Sequence, residues 1–244
     1  MQKRMQLRGN LMLLLTAMIW GSGFVAQSAG MDYVGPFTMQ ACRFLLSALV
    51  LLPIIALRDR TGKSVNRPVT REEKKGLLVR GSVCGVLLFV STSFQQFGLM
   101  YTTVGKSGFI TAMYILIVPI LGLLLGQKVG RSVWLGVVLS LVGLYFLCLS
   151  GGVGGVNLGD LLTLACALFF AMHIQYVARV GGETECVRMS CVQFLVNALL
   201  SAVGMAGQWS FLMFLFFFGF SSGSSVFFSQ YWGAQDDDGI DHSY

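Results

Sequence analysis

A few polar side chains interrupt long apolar stretches of this sequence, and each has a definable chemistry. Arg43 is the one charge deep inside such a stretch, seven residues after Pro36. Placing a guanidinium there costs roughly 2.5–3.5 kcal/mol on insertion scales. It either faces an interior cavity, pairing with an anion or with carbonyls, or snorkels toward the outer surface. His173 could carry a proton or donate to a ligand, or simply close a hydrogen bond between helices. Gln175, Gln193 and Asn197 share that ambiguity, and Gln95 and Gln96 come late in their stretch, where one or both would line an outer mouth. Lys106 belongs to a Gly-Lys-Ser triplet that suggests a phosphate loop. The glycine such a loop requires upstream is replaced by Met100, and no buried strand precedes it, which excludes that reading. Lys106 is then an anion contact or a lipid anchor. The six cysteines form no CxxC pair and read as small apolar filler. No metal-ligand set or cofactor motif is visible. An intramembrane enzyme would need clustered His, Asp, Glu or a Ser/Lys pair, and only Arg43 and His173 approach that.

The elements that must hold these groups are transmembrane helices. Of 244 residues, 55% are hydrophobic and only 11% charged. Soluble domains carry roughly 25% charge and could not hide so much apolar surface. The mean hydropathy is +0.72, which also excludes disorder. Eight apolar stretches occur, at 11–31, 36–57, 76–101, 107–125, 132–150, 161–178, 189–207 and 209–228. They are long and continuous, without the alternation of barrel strands, so the expected fold is an all-α polytopic membrane protein of about eight helices. Pro36 suits the first turn of its helix, while Pro53 and Pro119 fall inside theirs and should kink them.

Charge gives the orientation. Fifteen of the 17 Lys and Arg lie before the first stretch or at or near the second-to-third, fourth-to-fifth and sixth-to-seventh connections. Regular weaving puts all of these on one side, so the positive-inside rule places the N-terminus in the cytoplasm. The net charge of +6 then faces anionic lipid heads and needs no nucleic acid. The basic start followed by an apolar run could pass for a signal peptide, but seven further stretches favour a retained signal-anchor helix.

The chain also repeats itself at an offset of 150 residues. Leu14 meets Leu164, Ala17 meets Ala167 and Trp20 meets Phe170; Met39, Phe44, Ala48 and Leu49 meet Met189, Phe194, Ala198 and Leu199. Gln193 takes the place of Arg43, and Asn197 that of Ser47. Five helices separate the equivalents, so the copies enter the bilayer from opposite sides, as in many secondary transporters. The domains read as 1–150, a complete five-helix copy; 151–207, the start of a second; and 208–244, an atypical tail. Ten spans would need roughly 290–300 residues at this offset, so the second copy is expected to be cut short. Around 208 the Phe/Ser-rich stretch and the acidic end suggest a truncated or frame-shifted gene, or a short form completed by a second copy of itself.

Several motifs resemble one family. Ile19-Trp20-Gly21-Ser22-Gly23-Phe24 closes the first helix, and Arg43-Phe44-Leu45-Leu46 lies in the second. Tyr101-Thr102-Thr103 leads through Thr111 to Pro119, Trp134-Leu135-Gly136 precedes Gly143, and Gly159-Asp160-Leu161-Leu162 opens the second copy. In order and spacing, over roughly residues 10–207, they resemble the EamA-type proteins of the drug/metabolite transporter superfamily. The resemblance implies ten spans in two inverted five-helix repeats and a non-enzymatic transporter of small metabolites such as amino acids, often an exporter, in the inner (plasma) membrane. It also implies a central cavity lined by both halves, with Trp20, Arg43, Gln96, Tyr114, His173 and Asn197 as candidates. Without a buried carboxylate, facilitated exchange and proton coupling through His173 both stay open. A fragment that inserts but transports nothing is the remaining alternative.

Overall fold

The computed structural model describes residues 2–62, 67–127, 129–148, 157–182 and 185–233. Among them every regular element is a helix: α1 (Gln2–Met31), α2 (Pro36–Arg60), α3 (Arg71–Leu99), α4 (Val104–Thr111), α5 (Tyr114–Leu124), α6 (Arg131–Cys148), α7 (Leu158–Val180) and α8 (Cys186–Gly233). The protein is thus an all-α polytopic membrane protein. Six spans among the described residues are long and apolar enough to cross a bilayer, with α4 and α5 together supplying one of them, Val104–Leu124. A shorter apolar helical segment, Val133–Gly143, lies within α6.

The count of eight crossings is not established by this structure, because the two last apolar stretches share α8 without an intervening turn. Gln208 is the only residue between them, directly after Gly207, and neither stops a helix; an interior glycine costs about 1 kcal/mol. The chain divides into two compact units, Met1–Ala202 and Val203–Tyr244. The described part of the second is the remainder of α8. Everything below concerns the first.

Local chemistry explains where the helices begin and end. Pro36 occupies the first turn of α2, as expected. A capping box starts α3: Thr70 Oγ1 accepts from Glu73 N (3.2 Å), and Glu73 Oε2 accepts from Thr70 N (3.0 Å). A second starts α7 through Asn157 and Asp160. α5 stops at Leu124, two residues before Gly126, whose φ of 77° suits glycine. The helices run on through Pro53 and Pro119; the fourth apolar stretch breaks instead at Ala112–Met113, where Met113 N donates to Ile110 O (3.0 Å) in a tightened turn.

Glycines on α3 set the packing. A Cβ on Gly81 would lie 2.6 Å from Val192, and one on Gly85 2.7 Å from Val196, so α8 approaches this face closely. Near the other end, a Cβ on Gly159 would lie 2.7 Å from Gly98 O, and one on Gly98 2.5 Å from Thr163 Oγ1. The Gly122-xxx-Gly126 spacing works differently: Gly122 accommodates Gln127 and Gln175, while Gly126 meets nothing and lies just past the helix end. Cys84, Cys166 and Cys191 are buried in the packed interior as small apolar groups. Most described side chains of α1 and α6 are exposed and apolar, as lipid-facing surfaces must be.

Ion pairs join early and late helices at two places. Arg188 Nη2 donates to both Asp59 oxygens (2.6 and 2.5 Å), and Arg188 Nε to Glu185 Oε2 (2.5 Å). This ties the end of α2 to the start of α8. Lys106 Nζ donates to Asp160 Oδ2 (2.5 Å) and Thr102 Oγ1 to Asp160 Oδ1 (2.8 Å), tying the start of α4 to the start of α7. Lys106 is therefore neither a lipid anchor nor an open anion contact here; a buried carboxylate of its own chain holds it.

Candidate functional site

A cavity of about 510 Å³ opens among α1, α2, α3, α7 and α8. Each helix supplies a face at helical spacing: Trp20, Gly23, Phe24 and Gln27 from α1; Arg43, Phe44 and Ser47 from α2; Leu88, Thr92 and Gln95 from α3; Phe170 and His173 from α7; Gln193 and Phe194 from α8. Its size lies within the usual range for small-molecule sites, and its mixture of aromatic walls with a few polar groups is typical of them.

Trp20, Arg43 and His173, three of the six residues singled out from sequence, meet on this wall. Trp20 packs edge-on against Phe170, with centroids 5.9 Å apart. The Arg43 guanidinium lies 4.8 Å from the centroid of the Phe44 ring, a cation–π contact. Among the described residues it makes no ion pair and no side-chain hydrogen bond. His173 Nε2 lies 3.0 Å from Gln193 Oε1, so the histidine both lines the cavity and bridges α7 to α8. Its Nδ1 is buried without a partner.

Gln96, Tyr114 and Asn197 stand away from the cavity lining. Gln96 is 1% exposed, and neither polar atom of its side chain has a partner. Its neighbour Gln95 takes the cavity position and donates to Thr111 Oγ1 (3.4 Å), because adjacent helical residues point about 100° apart. Tyr114 stacks on Phe170 (6.1 Å), behind the wall. Asn197, fully buried, accepts from Gln40 Nε2 (3.1 Å) and Ser201 Oγ (3.2 Å) and donates to Thr92 Oγ1 (3.3 Å). It knits α2, α3 and α8 together.

Sequence reasoning passed over Gln40 and the cavity aromatics Phe24, Phe44, Phe170 and Phe194. For Gln40 the available signal was an amide inside an apolar stretch, three residues before Arg43. For Phe44, Phe170 and Phe194 it was the repeat itself, since Trp20 and Phe170, and Phe44 and Phe194, are partners at the 150-residue offset; Phe24 meets Ile174 and had no such signal.

Residues 7–149 match the model of the EamA-like transporter family. An uncharacterized transporter of Archaeoglobus fulgidus is 33% identical over 199 residues, covering 81% of this chain and 58% of the relative. The uncharacterized transporter YetK of Bacillus subtilis is 28% identical over 204 residues (83% and 56% covered). The uncharacterized inner membrane transporter YedA of Escherichia coli is 25% identical over 162 residues (66% and 50%). No solved structure is significantly similar to the chain. The chain belongs to the EamA-like transporter family, within the drug/metabolite transporter superfamily. It spans about half the length of these relatives.

Proposed function

We propose that this chain moves a small metabolite, of amino-acid size, across the inner membrane by alternating access, and that it works as an exporter. Residues 1–150 form one five-helix copy and 151–207 the start of an inverted second, with the N-terminus and basic connections cytoplasmic. One observation carries this reading. Trp20 meets its repeat partner Phe170 (5.9 Å), and Phe44 meets its partner Phe194 (5.6 Å), on the wall of one cavity. Residues that touch their own symmetry mates lie close to the axis relating two copies, which is where secondary transporters hold their cargo. The exporter direction and the size class of the cargo rest on the family's character.

Counterflow into liposomes containing the purified full chain tests the proposal with a panel of amino acids, nucleosides and organic acids. Accumulation of at least one compound above protein-free liposomes is expected. Flat counts across the panel, from protein that is folded and inserted, would remove transport by this chain alone.

A further inference from the structure

Two aromatic pairs of the cavity wall match across the repeat, while its charge does not. The paired aromatics present similar surfaces from both copies, yet Arg43 faces the cavity from one copy while its repeat partner Gln193 is neutral. Among the described lining residues no Asp or Glu is present. A lone guanidinium in a low-dielectric interior is costly, and an arriving anion removes much of that cost. A carboxylate matches its planar fork of donors better than any neutral group. An ammonium finds no carboxylate here and is repelled by Arg43. The aromatic part of the remaining wall, Trp20, Phe44, Phe170 and Phe194, favours a flat apolar body, with polar groups such as Gln95 and Thr92 beside it.

We propose that the cargo is an organic carboxylate anion with an aromatic or similarly flat apolar body and no ammonium group. Its carboxylate is held by Arg43 and its body by the two aromatic pairs. This inference rests on the transport reading of the same cavity and narrows it from amino-acid-sized metabolites to one charge class.

A matched series isolates the charge: 3-phenylpropanoate, phenylalanine and 3-phenylpropylamine share one ring and differ in being anionic, zwitterionic and cationic. Binding to the purified full chain in detergent is measured by calorimetry, and counterflow of the same three in liposomes. The anion should bind at least about tenfold more tightly than the zwitterion, with no detectable binding of the amine. Arg43→Gln should erase that preference, and Arg43→Lys should restore part of it, which separates loss of charge from loss of fold. Equal or tighter binding of phenylalanine or the amine, no binding of any of the three, or a preference that survives Arg43→Gln would overturn the inference. Selective binding of the anion without counterflow of any compound would instead overturn the transport reading and leave the anion site standing.

Discussion

Two polar clusters lie within one helical bundle and are built on opposite principles. Around Asn197 the groups bond mainly to one another: Gln40, Thr92 and Ser201 all bond to its side chain, Gln40 and Asn197 are fully buried, and within this cluster only Gln40 Oε1 is left without a partner. Around Arg43 they stay open, with a guanidinium resting on a phenyl ring and a histidine nitrogen without a partner. Hydrogen bonds between membrane helices contribute only about 0.6 kcal/mol each on average. The closed cluster therefore stabilises a particular arrangement of α2, α3 and α8 through several modest bonds. The open cluster contributes little to folding, since an unpaired charge in the membrane works against it. On the proposed reading, the spare bonding capacity of Arg43 and His173 beside the cavity is what a ligand would use.

This difference is broken or upheld most directly at Arg43. Arg43→Ala should lower the transport rate at least about tenfold, on the order of one charged hydrogen bond. Thermal stability in detergent should change by no more than about 1 kcal/mol, because the lost cation–π contact is offset by relief from burying the charge. Unchanged transport with a large fall in stability would place Arg43 on the structural side.

Asn197→Ala should behave in the opposite way. Three side-chain bonds are lost, so stability should fall by about 2 kcal/mol at the average value for membrane proteins. Cargo affinity should stay within about threefold of the parent, since Asn197 does not line the cavity. Measured together, unfolding midpoint and KM show whether the two clusters are separable; a raised KM at full stability would move Asn197 into the site.

The same contrast explains what could be read from sequence. Helices follow from apolar content and length, which act along the chain, so the all-α membrane fold was legible residue by residue. Arg43 and His173 were legible because an ionisable group in a membrane helix is expensive wherever it sits. Gln96 and Gln95 show the limit. Both are amides in the same stretch, and only the rotation of α3 against its neighbours puts Gln95 on the cavity and Gln96 behind it. Tyr114 was displaced similarly, because Phe170 stands in front of it. The break at Ala112–Met113 had no marker, whereas Pro119, the expected site of distortion, remains inside α5. Helix registry against neighbours is a tertiary property, which a residue list does not contain.

The finest test falls on His173, which belongs to both sides of the comparison. Its Nε2 faces Gln193 Oε1 across α7 and α8 like a member of a closed network, while its ring lines the cavity and packs edge-on to Phe170 (6.3 Å). His173→Phe keeps an aromatic ring there and removes only the polar link. One neutral bond is lost, so stability should fall by about 0.6 kcal/mol, close to the limit of a thermal midpoint. Freed from the histidine, the Gln193 amide can turn within the cavity, and KM should rise by a factor of about two to twelve, a cost of roughly 0.5–1.5 kcal/mol for a displaced neutral hydrogen bond. A stability loss with KM unchanged would assign His173 to the scaffold alone. An unchanged midpoint with a KM increase would show that the link to Gln193 orients the site and contributes nothing to the fold.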